Sequence, residues 1–85
     1  MNEFYSMKPC KSSNAWEFSP KKSMELDLKI VAIKFRNVDI STMVILIFNM
    51  NGTKVSLYPS GRMLIHDKDK AKAEMIFQEV NKVIV

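Results

Sequence analysis

The stretch MVILIFNMNGTKVSLYPSGRMLIHD, residues 43–67, decides how the chain folds. It reads as three short apolar strands separated by two glycine turns. Asn51-Gly52 divides the first from the second. Asn-Gly is a strong hairpin signal, because a type I′ turn needs positive φ at both central positions. Pro59-Ser60-Gly61 divides the second from the third, with Gly61 free to adopt the left-handed conformation. The first strand, 43–50, is apolar on both sides. The second alternates, with Val55 and Leu57 on one side and Lys54, Ser56 and Tyr58 on the other. In the third, Met63 and Ile65 oppose Arg62, Leu64 and His66. Period-2 alternation assigns Val44, Leu46, Phe48, Val55, Leu57, Met63 and Ile65 to a core face. It assigns Ile45, Ile47, Asn49, Ser56, Tyr58, Arg62, Leu64 and His66 to the opposite face.

The segments around this meander supply its cover. Residues 67–85 have Ala73, Ile76, Phe77, Val80 and Ile84 at helical spacing, with Asp67 or Asp69 as the cap. The sign-alternating run from Asp67 to Glu74 reads as a solvated helix face, and the β-branched 83–85 as a fraying last turn. Residues 24–35 carry two patterns. Met24, Leu26, Leu28 and Ile30 alternate as in a strand, whereas Leu28, Val31, Ala32 and Phe35 lie on one helical face. A helix over 26–36 is expected, with Asp27 as cap and Asn37 as terminator. Residues 38–42 read as a connection. Residues 14–18, NAWEF, form a strand whose Trp16 and Phe18 anchor the core. Residues 1–13 lack periodicity and read as a poorly ordered lead-in. One α+β domain over 14–85 follows, strand-helix-three-stranded meander-helix, with an antiparallel sheet and two helices on one face as a two-layer sandwich.

Composition narrows the function classes. The chain has 85 residues, room for one domain with a thin core. The run 43–48 is far short of a membrane span, and no leader pattern is visible, so a cytoplasmic location is expected. Cys10 is the single cysteine, so no internal disulfide can form. The net charge is +4. Residues 1–23 and 49–66 each contribute two positive charges, and the rest balances. Such an excess is compatible with phosphate contacts and equally with none. There is no phosphate loop, no Ser-His-acid spacing and no paired acids, so no enzyme, cofactor or metal is expected. His66 is the only histidine and reads as a strand-end residue.

Two stretches, ELDLKIVAIKFRN at 25–37 and VSLYPSGRMLI at 55–65, together resemble one repeat of the TATA-box-binding protein core. The acid-, lysine- and alanine-rich helix after them fits as well. The family joins two such repeats into a saddle whose concave sheet sits on the DNA minor groove. A chain with one repeat is similar to small archaeal proteins built as a single half, and to accessory domains of some bacterial ribonucleases H and DNA glycosylases. The resemblance places Tyr58 at an aromatic that wedges between base steps and Arg62 at a basic residue near phosphate. It places Leu64 and His66 where the family has a valine and a threonine against the groove. Three readings of the uncovered face follow: a nucleic-acid contact, a protein contact or homodimer, or a strip covered by the amino-terminal segment, Phe4 to Pro9.

Overall fold

The computed structural model describes residues 5–11 and 14–84. The meander is present as expected: β4 (Leu46–Met50), β5 (Thr53–Leu57) and β6 (Met63–Ile65). Asn51 and Gly52 both have positive φ, 53° and 80°, as the type I′ turn requires. The second turn closes through Tyr58 N–H donating to the Arg62 carbonyl at 2.9 Å, with Gly61 at φ 93°.

Before the meander come β1 (Tyr5–Cys10), β2 (Ala15–Pro20), α1 (Leu28–Ile33) and β3 (Val38–Ser41); α2 (Lys70–Ile84) follows it. The result is a small α+β domain with one six-stranded antiparallel sheet, ordered β1-β2-β6-β5-β4-β3. Trp16 and Phe18 of β2 pair with Ile65 and Met63 of β6, so the second strand lies against the last one. Core residues occupy one side of the sheet. Phe18, Leu46, Phe48, Val55, Leu57, Met63 and Ile65 are fully buried there, as the alternation predicts.

The structure corrects four expectations. Residues 5–10 are not a lead-in but an edge strand, paired with β2 from Tyr5↔Pro20 to Cys10↔Ala15. Tyr5 is buried, with its ring edge-on to Phe77 at 4.7 Å. A strand of sequence YSMKPC, with a serine, a lysine and a proline among its six residues, has little propensity of its own, and it forms because β2 offers an unpaired edge. Tyr5 to Pro9 therefore extends the sheet instead of covering it; Phe4 lies outside the described residues. Second, residues 38–41 are not a connection but the opposite edge strand, with a register shift between Val38 and Ile40.

Third, Val44 is not in the core; it is 70% exposed. The Thr42 hydroxyl accepts from the Val44 and Ile45 N–H groups at 3.2 and 3.0 Å. That turn holds 42–45 out of the ladder, so β4 begins only at Leu46. Fourth, α1 is shorter than the expected 26–36. Met24 N–H and Leu26 N–H donate to the Ser60 and Pro59 carbonyls at 2.9 and 2.8 Å. The extended alternation of 24–26 is thus strapped to the second meander turn, and the helix starts after Asp27, whose carboxylate accepts from Lys29 N–H. The β-branched Ile30, Val31 and Ile33 give weak helical propensity, and Asn37 ends the segment at φ 54°. Phe35, beyond α1, stacks on Phe48 at 4.1 Å.

In α2, the Asp69 carboxylate accepts from the Ala71 and Lys72 N–H groups and caps the helix. Ala73, Ile76, Phe77 and Val80 are buried, and Phe77 stacks on Phe18 at 4.4 Å. Val83 and Ile84 lie within α2, and Val85, the last of the residues expected to fray, lies outside the described residues. No helix among the described residues is long and apolar enough to cross a membrane.

Candidate functional site

The sheet face opposite the core gathers the residues that alternation assigns to it. Strand pairing aligns one row across all six strands: Lys8, Glu17, Leu64, Ser56, Ile47 and Ile40. The row grades from charge at β1 and β2, through polar and apolar groups at the centre, to isoleucines at β4 and β3. Ile45 lies in the turn just before β4, outside the ladder, next to this side of the sheet in sequence. Asn49 donates to the Asp39 carboxylate at 2.8 Å, which closes the corner beside β3. Ile45, Ile47, Asn49, Tyr58, Arg62, Leu64 and His66 are half-buried, and Ser56 is buried.

Glu17 organises the charged side. Its carboxylate is 11% exposed and receives Arg62 at 2.7 Å on Oε1 and Lys8 at 3.4 Å on Oε2. The Ser19 hydroxyl donates to Oε2 at 3.3 Å. A carboxylate buried this far is stable only when its oxygens are bonded, and here both are. The Arg62 hydrogen bond holds the Glu17 pKa below the usual carboxylate value, against burial, which pushes it up. The same bond raises the Arg62 pKa further. The Arg62 guanidinium lies over the Tyr58 ring, 5.0 Å from its centroid. The expected phosphate-seeking cation and the expected wedge are therefore engaged with each other and with Glu17.

His66 Nε2 and the Ser56 hydroxyl are 3.3 Å apart at the centre of the face. Burial, and then the charge of Lys54, lower the His66 pKa. The charge acting on His66 is a cation, and the His66 ring nitrogen partners the hydroxyl of the buried Ser56. Asp67, next in the chain, is paired with Lys72 at 3.3 Å and accepts from Asp69 N–H at 2.8 Å. Among the described residues no three His, Cys, Asp or Glu side chains are grouped to hold a metal ion.

The structure adds Lys8, Glu17, Asp39 and Ile40 to the face. Glu17 was legible in part, since it alternates with Trp16 and Phe18 and must point away from them. Its pairing with Arg62, 45 residues away, has no local signal. Lys8, Asp39 and Ile40 lie on strands whose pairing is decided at the sheet edges. Comparison with protein-family models, curated proteins and solved structures yields no match to this chain.

Proposed function

We propose that the chain is a non-enzymatic binding module, a single TATA-binding-protein-like half, that contacts a protein partner through the sheet face opposite its core. The two-layer arrangement is part of this proposal. Phe77 of α2 packs on Phe18, and Phe35 beyond α1 packs on Phe48. Phe18 and Phe48 belong to the same alternating set, which supports both helices on one face and leaves the other to a partner.

The observation that carries the protein reading is the Glu17 cluster. A nucleic-acid surface needs cations free to replace counterions at phosphates. Here a nearly buried carboxylate takes both Arg62 and Lys8, and Arg62 covers the Tyr58 ring that would stack on a base. What remains accessible is a half-buried apolar strip, Ile45, Ile47 and Leu64, bordered by the more exposed Ile40. Apolar strips of this kind mark contact surfaces. A second copy of the chain is one such partner, and light scattering across a dilution series tests that form.

Nucleic acid is the second reading. It is favoured by the resemblance at residues 55–65 and by Lys54, which is exposed and in none of the ion pairs among the described residues. Binding of short duplex and single-stranded DNA at low and high salt separates the two. The protein reading expects no salt-sensitive binding at micromolar protein. Such binding, lost on substituting Tyr58 or Arg62, would overturn it.

A further inference from the structure

Beyond the Glu17 cluster, the sheet face carries two charged side chains, Lys54 and Asp39, and they stand on either side of β4. Both are exposed, and neither takes part in an ion pair among the described residues. They flank a single residue of β4. Lys54 lies opposite Asn49 on β5. From the β3 side, the Asp39 carboxylate accepts from the Asn49 side chain at 2.8 Å. The register shift in β3 explains this placement. One step along β4, from Phe48 to Ile47, is matched by two along β3, from Val38 to Ile40. Asp39 is the extra residue, released from the ladder so that its side chain reaches Asn49.

The neighbouring row has a matching shape. Leu64, Ser56, Ile47 and Ile40 follow one another across β6, β5, β4 and β3. Ser56 is small and buried, so the row dips between Leu64 and Ile47, whereas Ile40 at the edge is 46% exposed and stands out. Charge and shape are thus arranged about the same line, the axis of β4. A two-fold axis laid along β4 exchanges β3 with β5. It sets Lys54 of each copy against Asp39 of the other, and Ile47 against Ile47. Each Ile40 then sits over Ser56 of the other copy, in the dip between Leu64 and Ile47. An isologous interface requires this self-complementarity. Sheets packed face to face interdigitate their side chains across about 10 Å, a gap that a lysine and an aspartate span together. The Glu17 cluster lies towards β2, outside the overlap, so its charges are not desolvated by the contact. An unrelated partner would need acidic and basic groups in the same exchanged places; a second copy carries them already.

We propose, resting on the protein reading of the sheet face, that the partner there is a second copy of this chain, held in a two-fold dimer along β4. Three strands at a spacing of about 4.8 Å make a narrow patch, so the dimer is weak and reversible. Sedimentation and amide resonances of the isotope-labelled full chain are followed from about 10 µM to about 1 mM, the range of weak complexes. Association is expected within that range, with concentration-dependent shifts at 39–40, 47–49 and 54–56. Lys54→Glu and Asp39→Lys should each weaken the dimer by about tenfold or more, because each sets like charges face to face twice. Mixed together, the two variants should associate again, since every facing pair is then of opposite sign. Ile40→Ser should weaken the dimer by about fivefold or more, as loss of an interface anchor does. All three positions are exposed, and circular dichroism checks that each variant keeps its fold. A chain that is monomeric at about 1 mM, or variants that stay monomeric when mixed, would overturn the proposal and leave a different protein as the partner. Shifts confined to residues outside β3, β4 and β5 would overturn it too. Salt-sensitive DNA binding that is lost on substituting Tyr58 or Arg62 would overturn the protein reading and the dimer with it.

Discussion

Replacing Glu17 with glutamine tests the centre of the sheet face directly. The substitution keeps the shape and removes the charge. The amide oxygen can still accept from Arg62, but the amide nitrogen would then face the Lys8 ammonium, which also donates. A hydrogen bond to a charged group contributes about 1.5–3 kcal/mol. The Arg62 side chain is 41% exposed and Lys8 72%, so water recovers part of the loss, and the Lys8 pair adds little. The expected net cost is about 1–1.5 kcal/mol. For a domain of this length that lowers Tm by roughly 5–10 °C.

The pH dependence gives the estimate a signature. Arg62 depresses the Glu17 pKa in the folded protein below its ordinary 4.5. The unfolded chain therefore binds this proton more readily than the folded one. The contribution is complete above pH 4.5 and disappears as pH falls through the lower folded value. Wild type and Glu17→Gln should differ at neutral pH and converge on acidification. Asp67, also depressed, titrates in both and cancels. Urea titrations followed by Trp16 fluorescence, repeated from neutral pH downwards, measure this. Equal stability at neutral pH, or a gap that does not close in acid, would refute the assignment of Glu17 as the organising charge.

Three further outcomes follow from the packing and the turns. Gly61→Ala should destabilise more than Gly52→Ala by thermal melting: both residues have positive φ, costing roughly 1 kcal/mol in a non-glycine residue. Only at Gly61 would the added methyl meet Met24 Sδ at 2.8 Å and Pro20 Cγ at 3.2 Å. Phe77→Ala, which removes the ring stacked on Phe18 and met by Tyr5, should cost about 3–5 kcal/mol; a Tm near that of wild type would contradict the packing. Burial lowers the His66 pKa in the folded state, so the unfolded chain takes up that proton first. Stability should therefore fall as pH drops below 6.5, and His66→Gln should remove that slope from calorimetric melts.

The alternation within 43–67 sufficed for the meander, both glycine turns and most of the core, because cross-strand period and turn chemistry are local properties. Helical spacing likewise sufficed for α2, and the structure chose Asp69 over Asp67 as its cap. Leu64, Ser56 and Ile47 could be assigned to one face for the same reason, since side chains on a strand must alternate. The edges could not be read this way. β1 has weak propensity and β3 is only four residues long, and both form because a neighbouring strand leaves its hydrogen-bonding groups unpaired, a condition present only in the assembled sheet. The start of α1 was settled by the second meander turn, whose carbonyls take the Met24 and Leu26 amides. The exposure of Val44 followed from one threonine hydroxyl capturing two N–H groups. The same holds for the chemistry of the face. Sequence places Arg62 and Tyr58 outward, but only the pairing of β2 with β6 brings Glu17 to Arg62. That contact, across 45 residues, makes Arg62 half of an internal ion pair.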